Sequence, residues 1–577
     1  MKIKHLFGLA VIAAMTASCS SNEDLGNPGS GTNEAGVGYA TFTINLPSVG
    51  GTRAADAGGA EMNEGTAEEY AVKSATALIF QKYGSDEGSY KFVESVTLPI
   101  DGWTDDPTDG ITTTSKKLTA KLTNVDTKNT YAVLVLLNNK TASGVKITLP
   151  SVGQSYNDWN NNAQLPTVTD LAAENDFYMA NAPLKVDASP TTLVTIDKDN
   201  IYSTKEKAEA GTSAATVYVE RGVAKMSVVA PGTITVKDKA NPTVTTQSEV
   251  EFSNWALDIT NQKTFAVHNI DGLSKDFTAI WNTDPSNRFI GTNSRVYWGK
   301  DPNYENDDLK LTDKDAERLA EFNFITATSE INKDFDKPVY CLENTFNLTN
   351  MYQGQTTRVI FKAKYTPKND TGADLADTDG TFYTIGNMTT ILNEIKLKAA
   401  VAAAATSVLP SGYKVDYTNL KTEGSHVITL EDIVDATGTT HLDKDATYGT
   451  KTGAEIVKEI NDRLGLTDGG GRDEAKVGIN TYYRGVTYYI ARVKHFGDDK
   501  TPWSSGSAYD GHNDKYLGRY GMLRNNWYEL KVGNVYGPGY PGVPPVDPTL
   551  PDDENEKYLS VSVKILSWAK RSQSVDL

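Results

Sequence analysis

Apolar and polar residues alternate one by one near both ends of this chain. Ala40, Phe42, Ile44 and Leu46 alternate with Thr41, Thr43 and Asn45 before Pro47 closes the run. A period of two predicts a strand with one buried face. Near the C-terminus, Leu559, Val561, Val563 and Ile565 alternate with Ser560, Ser562 and Lys564 in the same way. Each strand offers four apolar side chains on one face. Between them lie short apolar runs, among them Ala77-Leu78-Ile79-Phe80 and Tyr131-Ala132-Val133-Leu134-Val135-Leu136-Leu137, separated by polar turns. This texture predicts a mainly β chain, with β-sandwich domains in tandem and a few helices in the second. Met388, Ile391, Leu392 and Ile395 recur at helical spacing, so a helix is expected over 386–406 and another over 451–464.

Punctuation divides the chain further. Ala230-Pro231-Gly232 marks a break between an N-terminal sandwich over 54–230 and a C-terminal one over 231–536. Residues 537–577 begin with Gly537-Pro538-Gly539-Tyr540-Pro541-Gly542, a composition that predicts an extended, projecting arm ahead of the last strand. At the other end, Lys2, Lys4 and His5 precede an apolar stretch over 6–15, the pattern of a signal peptide over 1–18. Thr16-Ala17-Ser18-Cys19 puts small residues ahead of a cysteine, as in a lipoprotein signal, so Cys19 is the expected lipid attachment point. An ordinary cleaved signal with an incidental cysteine is the alternative. Residues 20–38 read as a flexible tether. Ser48-Val49-Gly50-Gly51-Thr52-Arg53-Ala54 follows the first strand and reads as an exposed, easily cut loop in which a trypsin-like protease would find Arg53, although taken alone an ordinary surface arginine is the first reading.

Charge and motifs then remove whole classes of function. A net charge of −18 disfavours nucleic acid and anionic membrane surfaces. The six histidines have no metal-ligand spacing, and neither a phosphate-cradling loop, a zinc-protease motif nor a nucleophile elbow occurs. Asp374, Asp377 and Asp379 lack the alternating carboxylates of a calcium loop, so a solvated turn is expected. No metal, no cofactor and no enzymatic activity are therefore expected. Cys341, within Val339-Tyr340-Cys341-Leu342, reads as a buried small hydrophobe. Tyr482, Tyr483, Tyr488 and Tyr489 could stack on sugars, but tyrosines in strands more often fill a sheet face.

The two end strands suggest a mechanism. Removing the first strand after a cut at Arg53 would open a groove with unpaired backbone and four empty pockets. Filling them is worth roughly 1.5–3 kcal/mol per side chain, about 6–12 kcal/mol gross. The tail of another copy offers four knobs at the same spacing, and head-to-tail insertion builds a filament. The alternative is that both strands pack within one molecule.

Specific stretches resemble the stalk fimbrilins of short fimbriae, the type V pilins of anaerobic Gram-negative bacteria. They are Arg524-Asn525-Asn526-Trp527-Tyr528 with its following strand, the Pro-Gly arm, and Leu559-Ser560-Val561-Ser562-Val563 through Trp568 to Val575-Asp576-Leu577. Val217-Tyr218-Val219-Glu220-Arg221-Gly222-Val223-Ala224-Lys225 and Thr357-Arg358-Val359-Ile360-Phe361 match family core strands as well. The resemblance implies two transthyretin-like sandwiches and export as an outer-membrane lipoprotein with a covalent lipid on Cys19. It also implies removal of residues 19–53, including the strand of Ala40, Phe42, Ile44 and Leu46, by an arginine-specific protease acting between Arg53 and Ala54. Donor-strand polymerisation through Leu559, Val561, Val563 and Ile565 would follow. The implied partners are other copies head to tail, together with anchor and accessory fimbrial subunits. An accessory or tip fimbrilin that binds a surface partner is the rival reading, and a monomeric glycan-binding surface lipoprotein is a third.

Overall fold

The computed structural model describes residues 31–32, 36–47, 62–63, 65–101, 103, 115–126, 128–185, 190–273, 296–305, 309, 311–346, 350–468, 477–496, 501–503, 516–552 and 559–568; residues 62–63 and 559–568 are described by backbone alone. Strands dominate throughout.

The N-terminal unit is one nine-stranded sheet folded over its own core. Its main strands are β1 (Gly38–Asn45), β2 (Ala75–Gln81), β3 (Lys91–Leu98), β4 (Ser115–Leu122), β5 (Tyr131–Leu137), β6 (Met179–Asn181) and β7 (Ala215–Arg221). One half runs β3-β2-β5-β6-β7 with every pair antiparallel. The early part of β7 then turns to β1, which it meets in parallel, and β1 carries β4 on its other side. β7 therefore belongs to both halves, and Phe42, Ile44, Phe80, Leu134, Leu136 and Val217 meet inside with no solvent exposure. β5 is buried along its whole length, which is why its sequence is a continuous apolar run rather than an alternating one.

Gly222 ends this unit. A Cβ there would lie 2.8 Å from the ring of Tyr178, so the chain can pass only as glycine. Beyond it come β8 (Ala224–Val228), β9 (Thr233–Lys237), β10 (Thr245–Asp258), β11 (Val339–Cys341), β12 (Arg358–Thr366), β13 (Phe382–Ile385), β14 (Gly424–His426), β15 (Ile479–Tyr482), β16 (Val486–Arg492), β17 (Asn526–Val535) and β18 (Leu559–Trp568). The sheet β11-β8-β17-β18 ends on the two-residue strand Met62–Asn63, while β9-β10-β12-β16 forms a second sheet. Met226, Tyr528 and Leu530 of the first and Trp255, Phe361 and Tyr489 of the second share one core, so the pair is a sandwich. Cys341 lies in that core, 3.6 Å from the Met522 sulfur, and burial pushes its thiol up to about 12. It behaves as the small hydrophobe that was expected.

A smaller layer, β14-β15-β13, carries two helices, α1 (Glu394–Ala405) and α2 (Gly453–Leu464), around a core of its own. α2 starts with a Thr452/Glu455 capping box and stops at Gly465 in the left-handed conformation. α1 is shorter than the helix expected over 386–406. Gly386 takes a positive φ of 58°, and Leu392 exchanges both backbone hydrogen bonds with Tyr383 at 2.8 Å, so residues 386–392 return to the sheet. Asn393 then caps α1, and Ile395 is 77% exposed. The helical spacing of Met388, Ile391 and Leu392 was coincidental. Asp377 spends its carboxylate on the Glu394 amide at the start of α1, and Asp379 accepts from the Thr381 amide. These aspartates are turn and cap residues, and no group of metal-ligating side chains occurs among the described residues.

Buried polar pairs hold the junction of the two units. Lys225 of β8 contacts Glu69 at 2.6 Å, and His268, whose pKa burial lowers to about 4 so that the ring stays neutral, contacts Glu220 of β7 at 2.9 Å. Arg524 contacts Glu343 at 3.0 Å within the second unit. All six side chains are almost fully buried, so removing one partner leaves the other desolvated and unpaired.

Glu87 makes the N-terminal unit sensitive to pH. Its carboxylate accepts the amides of Thr192 and Leu193 at 2.9–3.0 Å, yet burial outweighs these bonds and pushes it from 4.5 up to about 7. The folded state therefore keeps a proton that the unfolded chain releases. Stability should fall by about 3 kcal/mol as pH rises from about 4.5 to about 7, and level off above. Urea unfolding over that range should show this slope as the difference between the wild type and Glu87→Gln, since buried His268 and Asp301 titrate in both.

Candidate functional site: the first strand and the tail

The first strand is an interior member of its sheet. β1 pairs with β4 over eight positions, from Gly38 opposite Leu122 to Asn45 opposite Ser115. Its other edge is divided between Ile201–Tyr202 at the start and β7 from Phe42 onward. Ala40, Phe42 and Ile44 have no exposure and Leu46 has 1%. Even the alternate residues are tied down. Thr41 donates from Oγ1 to the Ala208 carbonyl at 2.8 Å, and Thr43 meets the Ser213 hydroxyl at 2.7 Å. Removing β1 would thus unpair two strand edges at once and empty a groove lined by apolar side chains. Cys19, Arg53 and Ala54 lie outside the described residues.

The tail has a different setting. β18 pairs antiparallel with β17, placing Leu559, Val561, Val563 and Ile565 opposite Val535, Val532, Leu530 and Tyr528. Those four β17 side chains are buried. On its outer side β18 meets, among the described residues, Met62–Asn63, parallel, at Ser567 and Trp568. Both end strands are therefore seated within one chain, β1 deep inside its sheet and β18 near the margin of another.

The Pro/Gly segment between β17 and β18 does not project as its composition suggested. Residues 537–552 form a strap along the C-terminal sandwich. Tyr489 donates from its hydroxyl to the Gly537 carbonyl at 2.8 Å, and Tyr482 to Gly539 at 3.0 Å. Thr487 holds the Pro538 carbonyl, and Tyr540 exchanges two backbone hydrogen bonds with Tyr488 at 2.8 and 2.9 Å. Gly539 sits at φ 66°, where a Cβ would come within 2.4 Å of the Tyr488 carbonyl. Arg358, paired with Asp258 at 2.8 Å, donates to the Pro544 and Pro545 carbonyls at 2.7 and 3.1 Å. Arg492 lies 2.9 Å from Asp552, both fully buried, and Thr356 donates to the same carboxylate. Proline removes amides that would need partners, and these side chains supply donors for the carbonyls that remain.

Sequence reasoning overlooked these anchors, as it overlooked the pairing of Met62–Asn63 with the tail. A signal did exist for two of them, because Arg358 and Arg492 interrupt apolar strand runs where a charge has to find a buried partner. The tyrosine pairs are chiefly structural. Tyr482, Tyr488 and Tyr489 are buried, and Tyr482 stacks on Phe382 with ring centroids 4.4 Å apart. Of the four, Tyr483 alone is exposed, at 41%, too little for a sugar platform.

Residues 480–574, which contain β16, β17, the strap and β18, match the family model for the C-terminal region of fimbrillin, the major fimbrial subunit protein type IV. No curated protein matches the chain as a relative. Among solved structures it is similar to a protein from Parabacteroides distasonis assigned to cell adhesion, with 10% identity, 93% of this chain and 99% of that one covered, and a TM-score of 0.37. A second cell adhesion protein of that organism shows 12% identity, coverage of 92% and 99%, and a TM-score of 0.34. A fimbrial assembly protein, also from P. distasonis, shows 12% identity, coverage of 58% and 87%, and a TM-score of 0.26.

Two substitutions probe the seats of β1 and of the strap. Phe42→Ala should cost about 3–5 kcal/mol by emptying a fully buried aromatic site, read as a lowered urea midpoint of the uncut protein. Asp552→Ala should cost about 3–5 kcal/mol by stranding Arg492, and limited proteolysis should then cut within 537–552, where the wild type resists.

Proposed function

We propose that this chain is a fimbrillin-type subunit that polymerises by protease-triggered donor-strand exchange and builds the stalk of an adhesive fimbria. The precursor is exported and held at the outer membrane by lipid on Cys19. An arginine-specific protease cuts between Arg53 and Ala54, and residues 19–53 leave with β1. The tail of another copy then enters the groove, with Leu559, Val561, Val563 and Ile565 where Ala40, Phe42, Ile44 and Leu46 stood. Repetition head to tail, started and finished by anchor and accessory subunits, makes the filament.

The observation that carries this reading is the interior seat of β1. A strand paired on both edges, with four apolar side chains buried, is a costly thing to lose, and its loss creates a demand for one replacement of the same period. The tail meets the demand in length and pattern, since β18 spans 559–568 and β1 spans 38–45. Its own seat is the shallower one, since among the described residues its outer flank pairs at two positions. A tip or accessory subunit would need the groove but no donor, so the presence of a strand of matching period at 559–568 favours a stalk role.

The test is limited digestion of the delipidated precursor with an arginine-specific protease. Intact mass should find a new N-terminus at Ala54, and unboiled denaturing gels should show ladders of stable multimers. Deleting residues 557–577 should abolish the ladders. A clean cut at Arg53 that yields monomers alone would overturn the stalk reading in favour of an accessory binder.

A further inference from the structure

Two anchored points flank residues 48–61, the stretch of sequence that carries Arg53. Upstream lies β1, which ends at Asn45, its apolar face continued by buried Leu46. Downstream lies Met62–Asn63, paired with the end of the tail, and immediately after it residues 65–70 are fastened to the C-terminal sandwich. That fastening is firm. Thr66 and Glu69 form a capping box, and the Glu69 carboxylate takes Lys225 Nζ and the Tyr340 hydroxyl, each at 2.6 Å. The Glu69 carbonyl accepts from Arg221 Nε at 2.9 Å, and Lys225 also lies 3.6 Å from the centre of the Trp527 ring. Trp527 belongs to β17, the strand on which the tail rests. Met62–Asn63 is thus held against β18 by the chain that follows it, although its own pairing is only two residues long.

We propose that Met62–Asn63 is a latch on the tail strand, and that the cut after Arg53 unfastens it. Before the cut, the short strand closes the outer edge of β18 at Ser567 and Trp568. After the cut, it lies close to a new chain end with no upstream anchor, and a two-residue pairing near a free terminus frays. One proteolytic event thereby opens the groove for an incoming strand and loosens the strand that has to go out. Uncut subunits hold both halves of the joint closed and stay monomeric. This inference rests on the exchange mechanism above, and extends it from the acceptor to the donor.

Hydrogen exchange of the tail amides tests it, with the full-length precursor as the starting material. In the uncut protein the amides of 559–568 should be protected. They should exchange roughly tenfold faster in freshly cut monomer isolated by size, the scale of losing one or two net backbone hydrogen bonds. Met62→Pro and Asn63→Pro, which remove ladder amides, should produce the same acceleration without any cut. Exchange in β5 and β12, recorded in the same samples, reports whether these variants remain folded. Arg53→Ala exposed to the protease should keep the slow tail. Wild-type protection of the tail in the folded proline variants, or in cut monomer, would overturn the latch. Multimer ladders that form with unchanged tail exchange would overturn the latch and leave strand exchange standing. A freed tail with monomers alone would do the reverse.

Discussion

Every backbone amide and carbonyl inside a sheet needs a partner, and β1 is the strand on which the N-terminal unit depends for that. β4 pairs with β1 along its whole length, and the first half of β7 relies on it for a parallel neighbour. Without β1 the nine-stranded sheet splits, because the β7–β1 contact is the seam between its two halves. The apolar core adds its own requirement, since Phe42 and Ile44 stand between those halves. A fold that invests this much in one terminal strand is complete only while that strand, or a substitute with the same period, is present.

The C-terminal unit is organised around buried charge. Arg358 and Arg492 are opposite each other in neighbouring strands, β12 and β16, and each turns toward the strap that crosses them. Pairing such groups adds little net stability over an apolar equivalent, but it penalises every arrangement in which a partner is missing. The strap therefore has one acceptable path. The same reasoning applies to Glu69 and Lys225 at the junction, where a carboxylate from the N-terminal segment is committed to a strand of the second sandwich.

Much of this was legible in the chain. The period of two in Ala40, Phe42, Ile44 and Leu46 fixes which face is buried, because a one-residue slip would expose all four. The apolar run Tyr131–Leu137 and the helix over 451–464 could be read as reliably, since each depends on neighbours along the sequence. What escaped depends on partners far away in sequence. The strap looked like a free arm because prolines and glycines resist helix and strand, and nothing local reveals that Tyr482, Tyr489 and Arg358 wait for its carbonyls. Helical spacing at Met388, Ile391 and Leu392 misled for the same reason, since Tyr383 claims the backbone of Leu392. Met62–Asn63 is too short to carry any pattern at all.

The anchoring of the strap at Asp552 has a mechanical side. Under the proposed exchange, a donor strand that begins at Leu559 would start seven residues from a point fixed in its own sandwich, and that much chain spans at most roughly 25 Å. A groove filled by such a strand has to open within that radius of the preceding subunit. The joint between neighbours is then a short tether rather than a long leash. Bending of the filament would be confined to a narrow cone at each junction, and a pull along its axis would load the Arg492–Asp552 pair before it reached any core strand.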